Sequence, residues 1–269
     1  MLINGVPAEQ LSVYDRGLQY GDGLFETVAV RDGVPLLWER HLQRLSEGCR
    51  RLAIALPDIG LLTQQAHQLC AAETKAVLKL ILTRGVGGRG YRSTAGLQPT
   101  VIMAISDWPG YPADYASKGV RIRTCQLRLS QQPSLAGIKH LNRLEQVLAR
   151  QEWEDADIVE GVMCDASGRV IEGIISNLFF IKGGALFTPD LSQCGVAGIM
   201  RQLVIEACAE QRIECHIGPV SLEQAQASEA ILMSNSLIQL WPVRHWDDKT
   251  YPVATEIISL LNNHINKKC

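Results

Sequence analysis

Apolar and polar positions recur along this chain in short runs that can be read one by one. Residues 1–3 open with an apolar run that turns at Asn4-Gly5. Residues 24–31 (LFETVAVR) form a predicted strand closed by Asp32-Gly33, a dipeptide suited to a hairpin turn. Leu37, His41, Leu42, Leu45, Cys49 and Leu52 then recur at helical spacing, and a second helix is predicted over 59–72. Two strands, 76–84 and 100–106, flank a glycine-rich loop. Asp107-Trp-Pro-Gly-Tyr-Pro-Ala-Asp, with two prolines and a glycine between apolar segments, reads as a linker. Beyond it the pattern predicts strands near 120–130, 158–165, 169–172 and 177–181, and helices over 142–152 and 198–210. Strands near 213–217 and 230–234 and a C-terminal helix follow. Strands outnumber helices and several are joined by tight turns. That favours two α+β domains, 1–107 and 119–269, joined by a linker at 108–118 and flanking a cleft.

Composition narrows the classes. The chain has 269 residues, 46% of them hydrophobic, enough to bury a substantial core. A net charge of -2 offers no basic footprint for nucleic acid or for a membrane surface. Cys49, Cys70, Cys125, Cys164, Cys194, Cys208, Cys215 and Cys269 form no CxxC and no repeating spacing. They are expected to be reduced thiols of a cytoplasmic protein. The first ten residues lack the charged and apolar regions of a signal peptide, and no run is long and apolar enough to span a membrane. The six histidines are scattered without a metal-site motif, so no metal is expected.

Four stretches are candidates for chemistry. Gly85, Gly87 and Gly90 fit GxGxxG after a strand, but a strand follows where a dinucleotide fingerprint needs a helix. A loop whose Arg84 and Arg89 could meet an anionic substrate is the better reading. Lys139 lies between an apolar residue and a helix start; it is either a solvated ammonium or a buried nucleophile for carbonyls. Glu172 ends an apolar strand, as a surface acid at a turn or as a buried acid with a cationic partner. Residues 195–201 (GVAGIMR) open a helix, either as an ordinary entry or with N–H groups offered to a phosphate.

The order Arg44, Lys139, Glu172, the Gly198 turn, then Ser234-Asn235-Ser236 resembles the class-IV pyridoxal 5'-phosphate (PLP) family. That family comprises branched-chain aminotransferases, D-amino-acid aminotransferases and 4-amino-4-deoxychorismate lyases. The resemblance runs over essentially the whole chain. It is carried by YGDGLFET (20–27), HLQRL (41–45), TRGVGGRGY (83–91) and LAGIKHLNRLEQ (135–146). It implies a two-domain α+β fold with PLP in the interdomain cleft, and a homodimer. By the same resemblance Lys139 carries the cofactor as a Schiff base and Glu172 faces the pyridine nitrogen. Arg44, the backbone N–H groups of Ile199 and Met200, and the Ser236 hydroxyl hold the phosphate.

The 83–91 and 135–146 stretches are most similar to the lyases. They imply conversion of 4-amino-4-deoxychorismate to 4-aminobenzoate and pyruvate, a step toward folate. Lys139 would remove the C4 proton. Arg84, Arg89 or Arg143 would clamp the substrate carboxylates, with Thr27 and Asn235 bordering it. Aminotransferases of this fold place a tyrosine shortly after the lysine, near the cofactor 3-oxygen. Here Asn142 and Arg143 occupy that stretch. A D-amino-acid or branched-chain aminotransferase is the alternative, and a PLP-binding protein without catalysis is a third reading.

Overall fold

A computed structural model describes residues 1–268; Cys269 lies outside the described residues. The chain forms two compact units. The first is Met1–Pro109 with Ile138–Asn142, and the second is Gly110–Gly137 with the chain from Arg143 onward.

The first unit is an antiparallel sheet with helices. Its elements are β1 (Leu2–Ile3), β2 (Val6–Pro7), α1 (Arg16–Tyr20), β3 (Gly23–Arg31), β4 (Val34–Pro35), α2 (Trp38–Leu52), α3 (Ile59–Cys70), β5 (Lys75–Thr83) and β6 (Thr100–Asp107). The strand order is β2-β1-β6-β5-β3-β4. Leu24, Val28, Leu78, Leu80 and Leu82 are buried in the sheet, and α2 buries Leu42, Leu45 and Cys49. The α2 face follows the 3.6-residue period read from the sequence. Trp38 Nε1 donates to Thr63 Oγ1 at 3.0 Å, tying α2 to α3.

Two features of this unit depart from the sequence pattern. The glycine-rich stretch before β3 contains a short helix, α1. Asp15 caps it by accepting from the Gly17 N–H, and Gly21 ends it at φ 64. The buried Asp15 carboxylate also accepts from Thr83 Oγ1 at 3.0 Å and Thr100 Oγ1 at 2.8 Å. Those partners lie far along the chain, beyond the reach of a local pattern. The second feature is the membership of 138–142. The Phe25 N–H donates to the Lys139 carbonyl at 2.9 Å and the Leu141 N–H to the Gly23 carbonyl at 3.0 Å. With the antiparallel bridge Leu24–His140, this stretch extends the sheet along β3.

The second unit holds α4 (Tyr115–Lys118), β7 (Val120–Leu129), α5 (Leu144–Arg150), β8 (Ile158–Asp165), β9 (Arg169–Gly173), β10 (Asn177–Lys182) and β11 (Ala185–Pro189). It continues with α6 (Ile199–Glu210), β12 (Cys215–Gly218), β13 (Val220–Ser221), α7 (Leu222–Gln226), β14 (Ala230–Asn235), β15 (Gln239–Trp246), β16 (Lys249–Thr250) and α8 (Glu256–Ile265). The sheet order is β12-β11-β10-β14-β15-β7-β8-β9-β13, with β16 on β15. β7 runs parallel to both β8 and β15. Residues of seven strands meet in one core, among them Ile122, Val162, Val170, Leu178, Phe180, Val220, Met233, Val243 and Trp246. A second cluster packs Ala149 and Trp153 against Cys125, Met163 and Ile171. β15 was not apparent from the pattern. Pro242 interrupts it, and a proline argues against a central strand.

Candidate active site

In the first unit the groups of interest lie on and around β3. Glu26 projects toward α2, and His41 and Arg44, three residues apart on that helix, share the face above it. His41 Nδ1 lies 2.6 Å from Glu26 Oε2, and Arg44 Nε donates to Glu26 Oε1 at 2.8 Å. Arg44 Nη2 donates to the other carboxylate oxygen, completing a fork. Burial alone would raise the Glu26 carboxyl. The Arg44 charge and the hydrogen bonds from His41 and Arg44 outweigh it and hold the group down to about 2. Burial pushes the His41 imidazole down, reinforced by the Arg44 and Lys139 charges and opposed by Glu26. An ionised carboxylate can only accept, so His41 donates Nδ1–H to Glu26.

The opposite face of β3 carries Phe25 and Thr27, by the alternation of a strand. Lys139 Nζ lies 4.3 Å from the centroid of the Phe25 ring, and Lys79 Nζ 3.9 Å from it. Lys79 is the register partner of Thr27. Burial depresses the Lys79 ammonium, against the pull of Glu26. Phe25 thus gathers two ammonium groups, a favourable use of a ring face.

The arginines of the 84–91 loop differ in their surroundings. Arg84 grips Asp22 with Nε at 2.7 Å and Nη2 at 3.0 Å. It also donates to the Ala53 and Leu52 carbonyls, both at 2.7 Å. A cation there complements the C-terminal end of α2. Arg16 shares Asp22 at 2.9 Å and holds the Gly90 and Tyr91 carbonyls. Arg89 is exposed on the same loop.

In the second unit Glu172 is buried near the end of β9, and its Oε2 accepts from the Val196 N–H at 2.8 Å. The turn that follows is folded around Glu160. This fully buried carboxylate accepts from the N–H groups of Gly161, Ile174 and Ile175 and from Ser176 Oγ, at 2.8–3.1 Å. Burial still pushes its pKa up against those donors. A Cβ at Gly173 would stand 2.3 Å from Ser176 Oγ, so only glycine allows the turn to close.

Asn177 then joins two stretches. Its Oδ1 accepts from the Gly198 N–H at 3.1 Å and its Nδ2 donates to the Val196 carbonyl at 2.9 Å. A Cβ at Gly198 would meet that Oδ1 at 2.0 Å. Gly198 is the N-cap of α6 and supplies no side-chain cap, so the amides of Ile199 and Met200 open the helix uncapped by a side chain. Asn235 Oδ1 accepts from the Leu237 and Ile238 N–H groups at 2.9 and 3.0 Å, folding the turn that carries Ser236. Its Nδ2 donates to the Ile175 carbonyl. Burial pushes the Arg143 guanidinium below its ordinary value, while the charges of Glu172 and Glu145 pull it up.

The sequence reading passed over Glu26, His41, Lys79, Asn177 and Glu160. For three of them the signal was present. Glu26 interrupts LFETVAV, Lys79 interrupts AVLKLIL, and Glu160 interrupts an otherwise apolar run. A charge in an apolar strand needs a partner. Among the described residues no cluster of His, Cys, Asp and Glu is arranged to hold a metal ion, and no helix is long and apolar enough to cross a membrane.

The amino-transferase class IV family pattern matches residues 23–246. An aminodeoxychorismate lyase of Vibrio harveyi is 33% identical over 241 residues, which cover 90% of this chain and 89% of that protein. The crystal structure of 4-amino-4-deoxychorismate lyase from Pseudomonas aeruginosa superimposes with a TM-score of 0.94 at 48% identity, over 98% of both chains. Branched-chain amino acid aminotransferase of Escherichia coli shares the fold, with a TM-score of 0.86 at 23% identity over 98% of this chain and 92% of that one.

Two outcomes are expected. Arg84→Ala should destabilise the protein by about 2–3 kcal/mol in chemical denaturation, because Asp22 and two helix-end carbonyls lose a charged donor. Arg89→Ala should stay within about 0.5 kcal/mol. Equal effects would remove the distinction. Glu26, held at about 2 against an ordinary 4.5, should contribute on the order of 3 kcal/mol. That stability is fully present above 4.5 and is lost as the pH falls toward 2. Glu26→Gln should flatten this acid limb when stability is measured at successive pH values.

Proposed function

The chain belongs to the amino-transferase class IV family, and from that premise we propose that it is a PLP-dependent 4-amino-4-deoxychorismate lyase, releasing 4-aminobenzoate and pyruvate. The observation that carries this reading is the 48% identity to the Pseudomonas aeruginosa lyase along 98% of both chains. The donor set fits the cofactor. Lys139 supplies an amine on a stretch whose backbone is fixed to β3, and Glu172 a buried carboxylate suited to a pyridinium N–H. Gly198 leaves the start of α6 without a side-chain cap, where a phosphate is favoured.

When bound, PLP supplies a carbonyl for amine capture and a ring that accepts electrons. Lys139 anchors the cofactor through its amine and serves as the base for the C4 proton of the substrate. Glu172 keeps the ring nitrogen protonated by a charge-assisted hydrogen bond. Arg44, the Ile199 and Met200 amides and the Ser236 hydroxyl hold the phosphate. The substrate carries two carboxylates. Arg89 and Arg143 are assigned to them ahead of Arg84, whose donors grip Asp22 and the end of α2. Thr27 and Asn235 border the substrate. Aromatisation of the product drives the elimination, so no keto acid is required.

We assign the chain to the cytoplasm, in keeping with seven free cysteines among the described residues. A homodimer is supported by an apolar stripe on α5. Leu144, Val147 and Leu148 are 69%, 50% and 48% exposed at helical spacing.

The decisive assay makes aminodeoxychorismate in place from chorismate and glutamine and reads pyruvate with lactate dehydrogenase. Pyruvate should appear without added keto acid, and Lys139→Ala should lower the rate about 1,000-fold or more. Absence of pyruvate together with brisk transamination of D-alanine or leucine would establish the aminotransferase instead. For the dimer, Leu148→Glu should shift the sedimenting species to the monomer; an unchanged mass in both proteins would sink the assignment.

A further inference from the structure

Arg44 is a long, flexible side chain, and an arginine that must meet a phosphate loses rotamer freedom on doing so. Glu26 grips it in the structure. Glu26 is 1% exposed and the Arg44 side chain 14% exposed, so the guanidinium keeps more access to solvent than the carboxylate it grips. Two arginine nitrogens, Nε and Nη2, engage the two carboxylate oxygens, which fixes the plane of the guanidinium and its rotation within that plane. His41 Nδ1 bonds the same carboxylate from the preceding turn of α2 and holds it in place for the fork.

Stability alone does not call for a network of this kind. The surrounding packing of Leu24, Val28, Leu42 and Leu45 is apolar. A well-packed apolar residue at position 26 would avoid desolvating a carboxylate altogether. His41 Nε2 is buried without a hydrogen-bond partner among the described residues, a further penalty accepted for the sake of Nδ1. What the arrangement provides is orientation: a guanidinium already locked before its anion arrives.

We propose that Glu26, braced by His41, is the positioning residue for Arg44, and that it sets the preference of this protein for a phosphorylated cofactor over the unphosphorylated aldehyde. The inference rests on the assignment of Arg44 to the cofactor phosphate. Glu26 itself touches no cofactor. It acts through the guanidinium, so its loss should erase the phosphate-dependent part of binding and leave the rest.

The test measures binding of PLP, pyridoxal and inorganic phosphate to the resolved apoprotein by equilibrium dialysis and fluorescence, for wild type, Glu26→Gln, His41→Asn, Arg44→Ala and the Glu26→Gln/Arg44→Ala double variant. Glu26→Gln should weaken PLP about 10–100-fold, the range found when a partner that orients a metal-ligating side chain is lost, with pyridoxal affinity unchanged. His41→Asn should shift PLP in the same direction by less. The double variant should bind PLP no more weakly than Arg44→Ala alone, because both act through one group. If Arg44→Ala keeps the wild-type preference for PLP over pyridoxal, the phosphate assignment of Arg44 itself is wrong. If Arg44→Ala loses that preference while folded Glu26→Gln and His41→Asn retain it, the positioning role is overturned and the assignment of Arg44 survives. A loss of PLP and pyridoxal binding in equal proportion, or failure of both variants to reach the wild-type near-ultraviolet circular dichroism, would make the network a fold element only and refute the proposal.

Discussion

A lysine side chain has a flexible four-carbon stem, so its ammonium can be aimed only if the backbone beneath it is fixed. Here that is done by a few main-chain bonds. The Lys139 carbonyl accepts from Phe25 and the Leu141 N–H donates to Gly23, so the stretch lies along β3 as a strand would. The same β3 presents Glu26 to α2 on one face and Phe25 to Lys139 and Lys79 on the other. Alternation along one strand therefore separates the anionic network under Arg44 from the cationic cluster around Phe25.

Three buried carboxylates show that burial has no single consequence for an acid. Glu26 meets a full positive charge and is held low. Glu160 meets only backbone amides and one hydroxyl; burial outweighs them and its pKa rises. It serves as the template of a turn: its oxygens take the Ile175 N–H and the Ser176 hydroxyl and share the Ile174 N–H with the Gly161 carbonyl. Glu172 accepts from the Val196 N–H and feels the charge of Arg143. The environment, more than the residue type, divides them into a positioning group, a structural group and a candidate ligand for a cationic ring.

Local signals were legible wherever the determinant was local. The helical period of 37–52 gave α2, and the Gly198 entry gave the start of α6. Charges set in apolar runs were equally visible at Glu26 and Lys79, but a strand pattern names no partner, and His41 and Arg44 approach from another element. Asn177 carried no signal. An asparagine at a strand start is ordinary until its amide is seen bonded to both Val196 and Gly198. In sequence Arg84 is one of three candidate clamps, because a loop arginine resembles any other. Its commitment to Asp22 and to the end of α2 depends on residues that only folding brings near. β15 failed for the opposite reason, since Pro242 is a genuine signal against strands that tertiary pairing overrides.

The pairing of 139–141 with β3 also bears on the order in which the protein is made. β3 leaves the ribosome long before the stretch that completes its edge, and β4 pairs with β3 only at Val30 and Arg31. Until synthesis has passed residue 141, the N-terminal half of that edge presents unpaired N–H and C=O groups, the arrangement most prone to recruit a foreign strand. Such a long-range closure is slow for entropic reasons. The nascent chain is thus most vulnerable to misassociation during the interval between the two stretches, and its aggregation during expression should depend on the rate of translation through that interval more than on the stability of the finished protein.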